Sequence, residues 1–193
     1  MNLVKKYDFS NLIFQEDIDA YIERIDEIFE IYGCADYSDG PINFPSFQTS
    51  ATLFHDKLFY KLRDSFVFSC SCYLNTALTG VDFKAWCYMD YYDNWKTKDR
   101  EKQWHDHAKE LDFPYFEGKQ KISGIFYLRV PKDDLSYNYA STEFMHNDDI
   151  YHEKFTWFIY PSHLVHRPGK VLSNKKRYCL AADIYFDPLD ACE

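Results

Sequence analysis

From Glu16 to Ile31 the apolar residues fall at Ile18, Tyr21, Ile22, Ile25, Ile28 and Phe29. Steps of three and four put these side chains on one stripe of a helix, with acidic residues on the opposite face and Gly33 as a natural stop. A longer run follows, in which Phe54, Leu58, Leu62, Phe66, Cys70 and Leu74 recur every four residues. That spacing predicts a helix over 52–79, closed by Gly80. Between the two, CADYSDGPINFPS is dense in turn residues and reads as loop. After Gly80 the period changes. VDFKAWCYMDYY, KISGIFYLRVP, KFTWFIYPS and RYCLAADIYF are short, rich in β-branched and aromatic residues, and bounded by Pro, Gly, Asp or Asn. These are strand signals. Helices followed by strands with no helix between them predict an antiparallel sandwich or barrel backed by helices, and argue against a βαβ fold. No repeat, low-complexity tract or linker interrupts the chain. All 193 residues therefore read as one domain, helical over 1–80 with a β core over 81–187.

Composition agrees with a packed core: 46% of residues are apolar and 20% aromatic, enough apolar surface to offset the entropy of ordering the chain. With 31 acidic and 22 basic side chains the net charge is −9, a poor match for duplex nucleic acid, whose binding rests on Lys and Arg neutralising phosphates. The tight basic cluster is Lys170, Lys175, Lys176 and Arg177. No apolar run approaches the roughly 20 residues of a membrane span. The opening MNLVKKYDFSNLIFQED lacks the long apolar stretch and small-residue cleavage site of a secretory signal, so a cytoplasmic location without membrane partners is expected. Of the six cysteines none forms a CxxC pair, and in a reducing compartment they should be free thiols, most of them buried.

The histidines hold the candidate chemistry. In QWHDH, His105 and His107 stand two apart, and on extended backbone residues i and i+2 face one side, so both imidazoles can reach one point. In WFIYPSHLVHRPG a strand ends at Pro161 and His166 follows at a second bend. Eleven residues on, Arg177 opens the last predicted strand. A guanidinium pointing into a barrel has to find an anion, and its fork is shaped for a carboxylate.

His-x-His, then SGIFYLRVP, then YPSHLVH, then an arginine eleven residues on: taken together, this order resembles the iron(II)/2-oxoglutarate-dependent oxygenases. It is most similar to their small prolyl-4-hydroxylase-like branch, common among bacterial and phage proteins. SFQTSATLF and the strand around Trp86 are similar too, so the resemblance runs from about Phe47 to Phe186. It implies a double-stranded β-helix (jelly-roll, cupin-like) core with Fe(II) and 2-oxoglutarate as cofactors. It puts metal ligands at His105 and His166, and the arginine that grips the far carboxylate of 2-oxoglutarate at Arg177. The family's second ligand is usually a carboxylate two residues after the first, and here that position is His107. Three neutral imidazoles leave the site one negative charge short of the two-histidine, one-carboxylate triad. Two readings stay open: His107 as the ligand, which the pleat favours, or Asp106, which would need a bulge to turn inward. At Cys179 the family often has a serine that helps hold the cosubstrate, and cysteine is a weak donor. Tyr127 is the substitute hydroxyl, with Tyr88 and Tyr178 as alternatives. The pattern Pro-Ser-x-Leu-x-His makes His166 the ligand and His163 a rim residue, while His146 and His152 flank an acidic stretch that reads as solvated loop.

The implied reaction couples decarboxylation of 2-oxoglutarate to attack on a substrate C–H bond. The substrate would be a peptidyl residue, proline first, or a small molecule. Residues 108–121, AKELDFPYFEGKQK, are long for a hairpin and would serve as lid or substrate recogniser. Two other classes fit the same elements: a cupin-like metalloenzyme that uses three histidines without 2-oxoglutarate, and a non-catalytic β-sandwich binding or structural module.

Overall fold

A computed structural model describes residues 3–32, 47–91, 104–107, 118–132, 141–145 and 152–187. In chain order these form β1 (Lys5–Asp8), α1 (Gln15–Tyr32), β2 (Phe47–Gln48), α2 (Tyr60–Leu74), β3 (Asp82–Asp90), β4 (Gln120–Arg129), β5 (Thr142–Phe144), β6 (Thr156–Pro161), β7 (His166–Pro168) and β8 (Arg177–Phe186). Six strands make one sheet in the order β1-β6-β4-β8-β3-β2, and β5 and β7 make a second. Every pairing within the sheets is antiparallel. The two sheets meet through side chains, as where the rings of Phe144 and Tyr160 cross at 4.9 Å. This is the double-stranded β-helix that the resemblance implies, with the helices laid against the outside of the large sheet.

Period-two alternation sorts the large sheet into two buried faces. On β8, Tyr178, Leu180, Ala182, Ile184 and Phe186 join the cluster under the helices, whereas Cys179 belongs to the cluster between the sheets, with Ile125, Tyr127, Phe158 and Tyr160. The helical side is closed by Ile18, Tyr21, Ile22 and Ile25 of α1 and by Leu62, Phe66 and Cys70 of α2. Trp157 packs at the centre, its ring 4.7 Å from Phe66, and its indole N–H donates to Ser65 Oγ at 2.8 Å. A buried indole needs such an acceptor.

The four long strands lie where alternation and composition put them, and α1 overlies the predicted stripe. The second helix is shorter than its period suggests. Asp56, with extended backbone, accepts the N–H of Leu58 on its carboxylate at 3.0 Å, so 3₁₀ turns at Leu53–His55 and Lys57–Phe59 replace the first turns. At the other end Asn75 adopts the left-handed conformation (φ 55°) and stops the helix before Gly80, as such a residue does at a helix C-terminus. Leu58 is consequently exposed. Four strands were not expected. β1 and β2 reach into the region read as helical, and β5 and β7 are three residues each. None is long enough to show an alternating pattern. The predicted loop over 34–46 and most of 108–121 lie outside the described residues.

Cys70, Cys87 and Cys179 are free and buried, and Cys72 is free and exposed. Among the described residues no helix is long and apolar enough to cross a membrane.

On β4, Gly124 faces α2, and a Cβ built there would lie 2.6 Å from the Phe66 ring and 2.9 Å from Ile159 Cδ1. Both neighbours are locked in the core. Gly124→Ala should lower stability by about 1–3 kcal/mol through overpacking, measured as a drop in the urea midpoint without a change in slope.

Candidate metal centre

A short extended piece of chain, 104–107, docks against the turn between β6 and β7. That turn closes with Leu164 N–H on the Pro161 carbonyl at 2.9 Å. His105 and His166 then exchange both backbone bonds, at 3.0 and 2.9 Å, and His107 N–H reaches the Ser162 carbonyl at 2.8 Å. Arg167, on β7, adds two side-chain ties. Its Nε donates to Glu143 Oε2 at 2.7 Å and its guanidinium lies 4.3 Å from the centre of the Trp104 ring. Backbone pairing thus delivers three imidazoles to one spot. Ring centres are 4.5 Å apart for His105 and His166, 5.0 Å for His107 and His166, and 5.5 Å for His105 and His107, which lie within 18° of parallel. One ring nitrogen from each lies within 4.8 Å of the others, and Asp106 is not a member of the group. His107 and His166 are buried.

The protein holds the Nδ1 side of two of these rings. His166 Nδ1 donates to the Leu164 carbonyl at 2.9 Å, an acceptor only, which leaves Nε2 as the lone-pair nitrogen. Burial first, then the neighbouring His105 and His107 rings, push the His166 pKa well below its ordinary 6.5, so this ring is neutral at neutral pH. The Tyr160 hydroxyl lies 3.4 Å from Nε2. His107 Nδ1 meets Asp183 Oδ1 at 2.8 Å. The same oxygen accepts from Ser123 Oγ at 2.6 Å, and Trp86 lies against the ring at 5.4 Å. Asp183 is fully buried. Burial alone would raise its carboxyl, but the His107 ring and the hydrogen bonds from His107 and Ser123 outweigh it and hold the pKa below the usual carboxylate value. Three imidazole nitrogens converging at this spacing form a ligand set of the kind that binds a divalent first-row metal, and Nδ1 anchoring of this kind fixes the ligating tautomer.

Arg177 stands on the same interior face, at the opposite end of β8 from Asp183. It is buried, with Nη2 on Asp90 Oδ2 at 3.1 Å and Nη1 3.4 Å from the Gly169 carbonyl. Asp90 is its cross-strand partner on β3, and the Tyr88 ring lies 5.8 Å from the guanidinium. Arg177 therefore has a carboxylate partner within the chain, which was not expected. Tyr127 reaches the same region, with its hydroxyl 2.8 Å from Thr142 Oγ1, and burial pushes its pKa above 10. Burial likewise takes the Cys179 thiol up to about 12 despite the nearby Arg177, so it remains a weak donor. Tyr178 faces away, its hydroxyl donating to Asp26 Oδ1 of α1 at 2.7 Å. His163 is exposed and takes no part in the imidazole group. His152 lies 6.2 Å, ring to ring, from Tyr127, and His146 falls outside the described residues.

Sequence reading missed Asp183, Ser123 and Asp90. The signal for Asp183 was present: a single carboxylate within the apolar strand LAADIYF, where burial on both faces demands a partner. Ser123 and Asp90 carry no comparable mark, because one polar residue at a strand end or beside a glycine is ordinary.

No protein-family model and no curated protein sequence matches the chain. Solved structures do. The viral collagen prolyl hydroxylase vCPH of Paramecium Bursaria Chlorella virus-1, in its complex with 2-oxoglutarate, aligns with a TM-score of 0.62 and 13% identity over 96% of this chain and 97% of its own. The prolyl-4-hydroxylase of Pseudomonas putida gives 0.58 and 9% over 96% and 93%. The non-heme alpha-ketoglutarate-dependent epimerase SnoN from nogalamycin biosynthesis gives 0.68 and 10% over 96% and 78%. At identities this low, what is shared is the backbone arrangement: the chain has the double-stranded β-helix fold of the 2-oxoglutarate-dependent oxygenases.

Proposed function

We propose that the protein is an Fe(II)- and 2-oxoglutarate-dependent oxygenase that hydroxylates a C–H bond of a peptidyl or small-molecule substrate. The observation that carries this reading is the convergence of His105, His107 and His166 on the interior face that also holds Arg177. These residues fit the implied groups. The Nδ1 atoms of His107 and His166 are taken up by Asp183 and by the Leu164 carbonyl, which directs both Nε2 atoms to the shared centre. A buried cation stands further along the same face for an anionic cosubstrate.

Fe(II) with 2-oxoglutarate supplies oxygen activation when bound. His105, His107 and His166 hold the metal. Arg177 receives the far carboxylate of the cosubstrate by a charge-assisted pair, and Tyr127 borders that carboxylate. The aromatic lining from Phe144, Phe158 and Tyr160 keeps the interior dry, where such a pair is worth more than in water. The four described free cysteines suit a reducing, cytoplasmic setting, and the substrate class most in keeping with the prolyl hydroxylases among the structural relatives is a peptide. The 193 residues act as one domain in this reading.

A second reading has one observation in its favour. Arg177 is already charge-compensated by Asp90, as it would be in a cupin-like enzyme that uses the three histidines and no 2-oxoglutarate. Anaerobic Fe(II) titration with and without 2-oxoglutarate separates the two. The oxygenase reading expects a weak visible charge-transfer band that needs both additions, is lost in His166→Ala and is weakened at least tenfold in apparent 2-oxoglutarate affinity in Arg177→Ala. Metal binding with no band dependent on 2-oxoglutarate would transfer the case to the cupin-like reading, and no metal binding at all would sink both.

The Asp90–Arg177 pair yields a further expectation. Removing one partner of a buried pair leaves an uncompensated charge and costs about 3–5 kcal/mol. Asp90→Asn should lower the melting temperature of the free protein, and 2-oxoglutarate, by filling the vacated side of Arg177, should recover more degrees for the variant than for wild type. An equal or smaller ligand shift would show that the cosubstrate carboxylate does not take the side of Arg177 that Asp90 occupies.

A further inference from the structure

The departure at His107 and the buried carboxylate behind it belong together. At the position where the resemblance in motif order implies a carboxylate ligand, this chain has the imidazole of His107. Asp183, 2.8 Å from the far side of that imidazole, stands one position further out. It is wholly buried, its Oδ1 is shared between His107 and Ser123, and its Oδ2 is buried with no hydrogen-bond partner. An ionised carboxylate in that position is expensive unless a cation lies close by. Within hydrogen-bonding range the described residues offer it one serine hydroxyl and one imidazole, and the Lys121 ammonium attracts it from further off. The other histidine anchored through Nδ1, His166, has a neutral carbonyl at the equivalent point, so the two anchored ligands differ in charge.

We propose that Asp183 supplies, through His107, the negative charge that the all-histidine ligand set lacks. It is a positioning residue: it makes His107 a stronger donor than His166, whose Nδ1 meets a neutral carbonyl, and raises the affinity of the centre for a divalent cation. The Asp183–His107 unit takes the place of a directly bound carboxylate, and Ser123 holds the oxygen that faces the ring. In turn, a bound metal would add positive charge close to the buried Asp183, beyond the attraction of the more distant Lys121. The proposal rests on the metal-binding reading above and adds to it which residue carries the charge.

Asp183→Asn tests it, because the amide oxygen can still accept from His107 Nδ1 while the charge is gone. Co(II), which is stable in air, serves as the probe. Its dissociation constant and ligand-field absorption are measured on the full chain, with far-UV circular dichroism confirming the fold. Asp183→Asn should weaken Co(II) binding 10- to 100-fold and shift the ligand-field bands. Ser123→Ala, which leaves the charge in place, should stay within about threefold of wild type. In a His107→Asp background, where the carboxylate has moved onto the metal, adding Asp183→Asn should no longer weaken binding, and this pair also decides the matter if the single variant does not fold. Wild-type affinity and spectrum in Asp183→Asn would overturn the charge role, and so would equal losses in the single and in the His107→Asp background. If wild type binds no Co(II), the metal reading itself fails.

Discussion

The organisation of this molecule depends on β8 being buried on both faces. A central strand with helices on one side and a second sheet on the other has no water to offer its polar side chains. Each of them must therefore find a partner inside the protein. Along Arg177–Phe186 the outward residues are wholly apolar apart from the Tyr178 hydroxyl, which Asp26 satisfies. The inward residues include one full positive charge and one full negative charge, Arg177 and Asp183, at opposite ends of the strand. The first is matched by Asp90 and the second by His107 and Ser123. Both charges thus face the second sheet and are answered by specific partners within the protein.

Much of this was legible in the sequence because the informative features were local. Strands of nine or ten residues display their alternation and bounding turns, and the pair His105 and His107 declares a shared side through a spacing of two. The helix over Tyr60–Leu74 was overextended because a four-residue repeat of apolar side chains says nothing about backbone competition. Asp56 diverts the chain before the helix and Asn75 ends it, and neither changes the hydrophobic period. The short strands were illegible for a different reason: β5 and β7 exist only because a neighbouring segment is available to pair with them. The convergence of His166 on the other two histidines is likewise a product of the β6–β7 turn and cross-strand pairing, visible beforehand only as a resemblance in motif order.

Two arginines divide the labour around the site. Arg167 is partly buried and spends its donors and its flat face on Glu143 and Trp104, which tie the lead-in segment to the small sheet. Arg177 is buried and paired with Asp90 across one strand pair. The first rigidifies the scaffold beneath the histidines. The second places a buried positive charge on the interior face. Ridge residues such as Trp157 and Phe66 on the opposite face keep the strands from shifting, since a close-packed interior transmits even small displacements.

The strand order has an effect on solubility as well. β6, TWFIYP, is buried almost throughout, and one of its two edges is hydrogen-bonded to β4 while the other is covered by the four residues of β1. That cover carries Lys5 and Lys6, charged residues of the kind that discourage another chain from adding on. A deletion or tag that unpairs residues 5–8 would bare an apolar strand with unsatisfied amides and carbonyls, a template for edge-to-edge association. Residues 5–8 thus act as the guard that keeps one copy of the protein from zipping onto the next.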